Sequence, residues 1–233
     1  SFAQDMADKY QMTREDMDAF AIQSLTRAQA AIEAGNLEAE IVPVTIATRK
    51  GEVTVTIDEQ PGNANLAKIP TLKPAFSADG TVTAANSSSI SDGASALVLA
   101  SATAIKEKNL TPIAKIVGHT TNSRHPSEFT IAPVGAIEKL LEKTGWQTDD
   151  VDLFEINEAF AMVTMAAIKD LQLDPEKVNI YGGACAQGHP IGSTGSRIIV
   201  TLMHALKQTG GTKGIAALCI GGGEATAVAI ELV

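Results

Sequence analysis

Three residues could do chemistry, two of them in a neighbourhood stripped of bulk. His189 lies in GGACAQGHPIGSTGSR, residues 182–197, between Gly188 and Pro190. Glycines let backbone come close to something, and a histidine there can move a proton, bind a metal or make a neutral hydrogen bond. Cys219 closes an apolar run, KGIAALCI (213–220), and is followed by Ile220 and then Gly221, Gly222 and Gly223. That run leaves the Gly221 backbone N–H uncovered by any side chain beyond the thiol. A thiol beside a free amide suits acid/base work next to an oxyanion. Asn157 ends VDLFEIN (151–157) and precedes EAFAMV, where its amide could hold a water or a carbonyl oxygen.

Each of the three has a plainer alternative. His189 could cap the helix that follows, Cys219 could be a small buried hydrophobe, and Asn157 could be an N-cap. Spacing disposes of other chemistries. Gly183 and Gly188 are spaced as in a phosphate-binding P-loop, but His189-Pro190 stands where Lys-Ser/Thr is required. Gly188, Gly192 and Gly195 do not have the spacing of a dinucleotide fingerprint. Cys185, His189, His204 and Cys219 contain no Cys-x2-Cys or His-x3-His pair, which argues against zinc. Cys185 lacks the setting of Cys219 and reads as structural. His204 falls within an amphipathic helix, and His119 and His125 fall in a polar loop and read as solvent-exposed.

The elements that must position these residues follow from periodicity. Residues 2–35 have apolar side chains at helical spacing, with Thr13 and Asp16 placed as a capping box and Gly35-Asn36 as the stop. Residues 41–57 alternate around Lys50-Gly51 as a β-hairpin. Residues 58–79, rich in Pro, Asn, Lys and Ala, read as a loop or arm lying over another surface. Residues 94–100 read as a strand buried on both faces, followed by a short helix over 102–108. Further strands are expected at 112–118, 151–157, 177–181, 213–220 and 224–232. Helices are expected at 132–144, 158–171 and 196–208, the first opened by Pro133. Strands alternating with helices from about residue 112 make this a layered α/β protein.

Composition bounds the partners. The chain has 233 residues, 45% hydrophobic and 19% charged, with aromatics at only 4%, so its core is aliphatic. A net charge of -9 argues against nucleic acid or an anionic membrane as the main partner. Two cysteines make no disulfide framework, and no apolar run reaches the ~20 residues that span a bilayer. The chain starts Ser1-Phe2-Ala3-Gln4 without an initiator Met or a signal-peptide pattern, and is expected to begin in the middle of a longer protein.

Asn-Glu-Ala-Phe at 157–160, Gly-His-Pro at 188–190 and Cys-x-Gly at 219–221 resemble, in order and spacing, the motifs of the thiolase family. The stretches VNIYGGA and GTVTAANSSSISDGA are similar too, so the likeness runs along essentially the whole chain. It implies a layered αβαβα sandwich of two similar halves with a loop domain inserted in the first. Residues 1–90 would be the later part of that loop domain, 91–112 would complete the first half, and 113–233 would be the second half.

The resemblance also implies chemistry: making or breaking a carbon–carbon bond between acyl-CoA units by Claisen condensation or thiolysis, through an acyl-cysteine. His189 matches the histidine that activates the acyl-accepting thiol, and Cys219 the base that takes the α-proton of acetyl-CoA. His189 and a water held by Asn157 would stabilise the enolate oxygen, and the Gly221 N–H would form half of the hole at the acyl-enzyme. Ser88, Ala84 and Phe76 match positions along the pantetheine arm, and Ala159 and Phe160 line the pocket. Coenzyme A and acetyl-CoA enter as substrates; no tightly bound cofactor and no metal are implied. The loop glycines would give clearance for a pantetheine thioester to reach the imidazole.

One departure matters. The family's acyl-accepting cysteine lies in the first half, ahead of anything in these residues, and Cys185 sits on the histidine's own loop. The expectation is therefore the C-terminal portion of an acetyl-CoA C-acetyltransferase-type thiolase, inactive without an N-terminal segment that carries the nucleophile. Cys-Ile-Gly-Gly-Gly leans towards the short-chain biosynthetic branch, with Phe129 shaping the acyl pocket. The alternatives are a 3-ketoacyl-CoA thiolase of fatty-acid β-oxidation and a non-catalytic, thiolase-like acyl-CoA-binding subunit. The resemblance implies a homodimer or homotetramer, with the 58–79 arm suited to an interface or lid. A cytoplasmic location is expected, with mitochondrial and peroxisomal ones left open.

Overall fold

The computed structural model describes residues 2–233. Its first part is helical, as the spacing predicts, but in two pieces: α1 (Phe2–Lys9) and α2 (Arg14–Glu33). Thr13 opens α2 with the expected capping box, its side chain accepting from the Asp16 N–H and the Asp16 carboxylate accepting from the Thr13 N–H. The chain turns away at Gly35, φ +72. Strands β1 (Val44–Thr48) and β2 (Gly51–Val55) then form the predicted antiparallel hairpin, with both strands exposed throughout. The arm that follows contains a short helix, α3 (Glu59–Asn63), and a 3-10 segment, Leu66–Thr71. It lies on this chain's own α2: Arg14 Nη2 donates to Leu72 O at 2.8 Å, and Gln29 Nε2 to Pro61 O at 2.9 Å.

Residues 94–100 correct the sequence reading. They form neither helix nor strand, and Val98 and Leu99 are 94% and 74% exposed. A strand needs a neighbour for its backbone N–H and C=O groups, and none of the strands among the described residues pairs with this stretch. Helix α4 (Ala102–Lys108) follows where expected, capped by Ser101.

The remaining residues build one layered unit. Strand β3 (Ala114–Ser123) is followed by α5 (Ala132–Thr144), β4 (Leu153–Ile156) and α6 (Ala161–Asp170). A one-turn helix, α7 (Ala184–Gln187), precedes α8 (Ile191–Thr209), and β5 (Lys213–Ile220) and β6 (Glu224–Leu232) close the chain. The sheet order is β3-β6-β5-β4; β4 and β5 run parallel and the other pairs antiparallel. Helix α5 covers one face, where Ile137 and Leu140 pack with Phe154, Ile156, Ile215 and Ala217. Helix α8 covers the other with Ile198, Leu202 and Leu206, a helical stripe against Leu153, Ala216 and Ile230. Burying an aliphatic side chain of this size stabilises by roughly 1.5–3 kcal/mol, so the two faces lock β4 and β5 in place.

Three further differences bear on the site. The expected strand at 177–181 is reduced to a single bridge, Val178 with Phe154. Asn179 (φ 48) turns the chain there, and its amide replaces the ladder, with Oδ1 accepting from Ile156 N–H and Nδ2 donating to Ile156 O, both at 2.8 Å. Helix α6 starts at Ala161 rather than 158, because Ala161 N–H donates to Asn86 O and Ser87 bridges Phe160, holding 157–160 extended. His119 lies on β3 instead of a loop, exposed as expected. Among the described residues no helix is long and apolar enough to cross a membrane.

Candidate active site

The site forms where β4 and β5 end side by side. Asn157 N–H donates to Ala217 O at 2.9 Å, so Asn157 stays in register with β5 for one residue beyond β4. Two residues further along β5 lies Cys219, buried among Ala159 and Val163 with the rings of Phe129 and Phe160 against it. Those rings meet edge to face, centroids 6.4 Å apart. Burial pushes the Cys219 thiol up to about 12, so it rests protonated at neutral pH.

His189 is brought to the same place by its loop. Its N–H donates to Ser89 O, and the residues beside it pair with the 83–90 segment at the Ile90–His189 bridge. The ring is held from both sides: Nδ1 lies 2.6 Å from Thr194 Oγ1 and Nε2 lies 3.4 Å from Asn157 Nδ2. Thr194 is fully buried in the first turn of α8, and its hydroxyl donates to Pro190 O at 3.0 Å. A hydroxyl has one hydrogen, so Nδ1 must be the donor to Thr194. That leaves the Nε2 lone pair facing Asn157, whose amide N–H can reach it. Burial first, and the Arg197 charge second, hold the imidazole below its ordinary value, hence neutral near pH 7. Asn157 Oδ1 is buried and has no partner among the described residues. A buried acceptor of this kind is matched by a water or a ligand donor.

The other sequence candidates fall partly at this site and partly away from it. Gly221 sits in the exposed β5–β6 turn, where an added Cβ would meet nothing within 4 Å, and its N–H has no backbone partner among the described residues. Ser88 is tied to Ala159, donating to its carbonyl through both N–H (3.1 Å) and Oγ (3.0 Å). Ala159 and Phe160 line the Cys219 surroundings. Ala84 is exposed and edges a cavity of about 180 Å³ with Ala21, Leu25, Gln60 and Cys185. Phe76 is 51% exposed on the arm.

The plain alternatives for two residues fall on geometry. Phe160, not Asn157, occupies the position before α6, and Pro190, not His189, the position before α8, without a side-chain cap in either case. The loop glycines also need correcting. Gly182 backs onto Ser24 and Ala28, Gly183 onto the Glu158 carboxyl, and Gly188 onto Ser91, Gln60 and Ser89. Their clearance is used by the protein itself; of the loop's glycines only Gly192 faces open space. Thr194 and Glu158 were not among the sequence candidates. The signal for Thr194 was its position in the first turn after His189-Pro190. Glu158 could have been noticed as a carboxylate inside an otherwise apolar helix pattern.

Comparison with known proteins agrees along the chain. The model of the thiolase C-terminal domain matches residues 110–232 and that of the thiolase N-terminal domain residues 1–103. Cytosolic acetyl-CoA acetyltransferase of Mus musculus is 49% identical over 232 residues, covering 98% of this chain and 58% of the mouse protein. The crystal structure of Bacillus anthracis acetyl-CoA acetyltransferase superposes with a TM-score of 0.96 at 47% identity, over all of this chain and 59% of that one. Human mitochondrial 3-ketoacyl-CoA thiolase in complex with CoA gives 0.90 at 39% identity, over 100% and 58% of the two chains. The chain thus spans a little under three-fifths of the relatives it matches. By these matches, and by the residues gathered at the ends of β4 and β5, the chain belongs to the thiolase family.

Proposed function

We propose that these residues supply the acid/base and oxyanion half of an acetyl-CoA acetyltransferase, whose acyl-accepting cysteine comes from outside the 233 residues. The observation that carries the reading is the clamped imidazole: Nδ1 bound to Thr194, the Nε2 lone pair facing the Asn157 amide. In the first step Nε2 takes and keeps the proton of the accepting thiol, the thiolate attacks the acetyl-CoA carbonyl, and the bond from that carbonyl to the CoA sulfur breaks, the CoA leaving as its thiolate. In the second, a Cys219 thiolate removes the α-proton of another acetyl-CoA. The enolate carbon attacks the acetyl-cysteine, forming the new carbon–carbon bond and releasing the enzyme sulfur. Charge on the enolate oxygen is met by the proton that Nε2 took from the thiol and by a water on Asn157, and charge at the acyl-enzyme by the Gly221 N–H; the released enzyme thiolate then takes the Nε2 proton back. Because Cys219 rests protonated, the resting site is set for thiolysis, where that thiol hands a proton to the departing enolate carbon. Condensation requires the thiol to be deprotonated first.

Cys185 is a poor nucleophile: burial and the Glu158 carboxylate push its thiol well up, and its Sγ is directed to Glu158 O at 3.8 Å. The purified 233-residue chain should therefore not thiolyse acetoacetyl-CoA, and measurable turnover would overturn that part. In the full-length enzyme, Cys219→Ala should slow condensation by about 10²–10⁴-fold, the range lost with a proton-transfer group; an unchanged rate would sink the catalytic reading. Phe129 and Phe160 crowd Cys219, which favours short acyl chains. The likeness to 3-ketoacyl-CoA thiolase supports a longer-chain reading. Rates on acetoacetyl-CoA against a long-chain 3-ketoacyl-CoA separate the two.

A further inference from the structure

Glu158 follows Asn157 in the chain and is fully buried. Burial raises its carboxyl above the ordinary range, while three hydrogen bonds pull the other way. The three donors come from three separate segments. Oε2 accepts from Ser24 Oγ on α2 at 2.7 Å and from the Cys185 N–H of α7 at 3.0 Å. Oε1 accepts from Asn179 Nδ2 at 2.8 Å. Ser24 Oγ in turn accepts from Gly183 N–H at 3.0 Å, and the Gly183 backbone lies so close to the carboxyl that no Cβ fits between them. Glu158 therefore ties Asn157, its chain neighbour, to the start of the loop that carries His189, and both to α2.

We propose that Glu158 is a positioning residue that sets the Asn157 amide against His189 Nε2, and that the reaction needs its carboxylate form. Asn179 cannot adapt to a change at 158, because both ends of its amide are committed to Ile156. A glutamine at 158 offers one acceptor and one donor. Its NH₂ must face either Asn179 Nδ2 or the Ser24 and Cys185 donors, and a buried donor against a donor pushes the segments apart. The separation that suffers is the already long 3.4 Å between Asn157 and His189. The inference rests on the thiolase reading above, and goes beyond it by giving a non-contacting carboxylate control over two groups that act on substrate.

The experiment compares wild type, Glu158→Gln and Ser24→Ala in the full-length enzyme, by steady-state kinetics and by ¹⁵N spectra of the histidine rings. Glu158→Gln is expected to lower kcat about a hundredfold, as misplacement of reacting groups does, with KM for the CoA substrate changed little, because only transition-state contacts are lost. Ser24→Ala removes one donor and should lower kcat about tenfold. The His189 Nε2 resonance should move towards that of an unbonded ring nitrogen in Glu158→Gln, with Nδ1 still bound to Thr194. A folded Glu158→Gln enzyme with wild-type kcat would overturn the proposal. If that variant does not fold, wild-type kcat in Ser24→Ala overturns it instead. If wild type shows no thiolase activity the functional reading fails, while an unmoved Nε2 resonance in Glu158→Gln (in Ser24→Ala if Glu158→Gln does not fold) would still overturn the positioning role.

Discussion

Residues 153–163 and residues 90–100 are both short stretches rich in apolar side chains, and they meet opposite fates. In the first, Val163 is fully buried and Asn157, Ala159 and Ala161 are held through backbone bonds to β5 and the 83–90 segment. In the second, Val98 is 94% exposed and Ile90 fully so. Apolar composition sets what a segment gains by being covered. Whether it is covered depends on which elements stand beside it, and that is a property of the whole arrangement.

The sharpest way to break this contrast is to truncate one side chain in each stretch. Met162→Ala, in the fully buried first turn of α6, should cost the protein about 2–5 kcal/mol of unfolding free energy, as large-to-small core changes do. Val98→Ala should stay within about 0.5 kcal/mol, as exposed substitutions do. Urea unfolding of the two variants reads both. A loss above about 1 kcal/mol at Val98 would mean the 90–100 stretch is covered in solution, and the contrast would fail.

A second break lies inside the buried region. Thr194→Val keeps the shape but leaves the His189 Nδ1–H without a partner, which costs about 1–3 kcal/mol for a buried donor. The ring would then lose its fixed tautomer, and full-length activity should drop roughly tenfold or more. The acid limb of its pH–rate profile, which the lowered imidazole places below the ordinary histidine value, should broaden. An unchanged rate would show that Thr194 does not choose the tautomer.

How much of this was legible in the chain itself follows the same division. The Thr13–Asp16 cap, the hairpin, α4, α5, β5 and β6 were readable because their signals are local: a capping pair, alternation, and a periodic stripe. His189, Asn157 and Cys219 were readable because their motifs lie in order, with glycines around His189 and Cys219 and a strand end at Asn157. The strands expected at 94–100 and 177–181 were not, since a ladder partner is a long-range fact, and at 179 a side-chain amide took its place. The glycines of 182–188 were read as room for a substrate, while the groups that fill that room, Glu158 and Ser24, stand 24 or more positions away in sequence. Thr194 carried only a positional signal, the first turn after His189-Pro190, and only the bond to Pro190 O reveals which way its hydroxyl points.

The mildest break concerns a group that burial penalises. Glu155 sits in β4 between Ile156 and Phe154, fully enclosed, facing Arg197 from α8, Glu158 from the extended stretch after β4 and Glu40 from the 3-10 segment Glu38–Glu40. Burial pushes its carboxyl up to about 8; Arg197 opposes this, and Glu158 and Glu40 add to it. The folded protein thus keeps a proton on Glu155 up to about pH 8, while the unfolded chain releases it near 4.5. Between those values the folded state binds more protons, so this contribution to stability is fully present below about pH 4.5 and is lost as pH rises through about 8. Glu155→Gln is neutral throughout and lacks that slope. From pH 6 to pH 7 the parent should therefore lose up to about 1.4 kcal/mol relative to the variant. Urea unfolding of both proteins at the two pH values measures it. Parallel pH dependence would mean that Glu155 is ionised in the fold, with Arg197 winning over burial, and that the interior at β4 is wetter than its apolar neighbours imply.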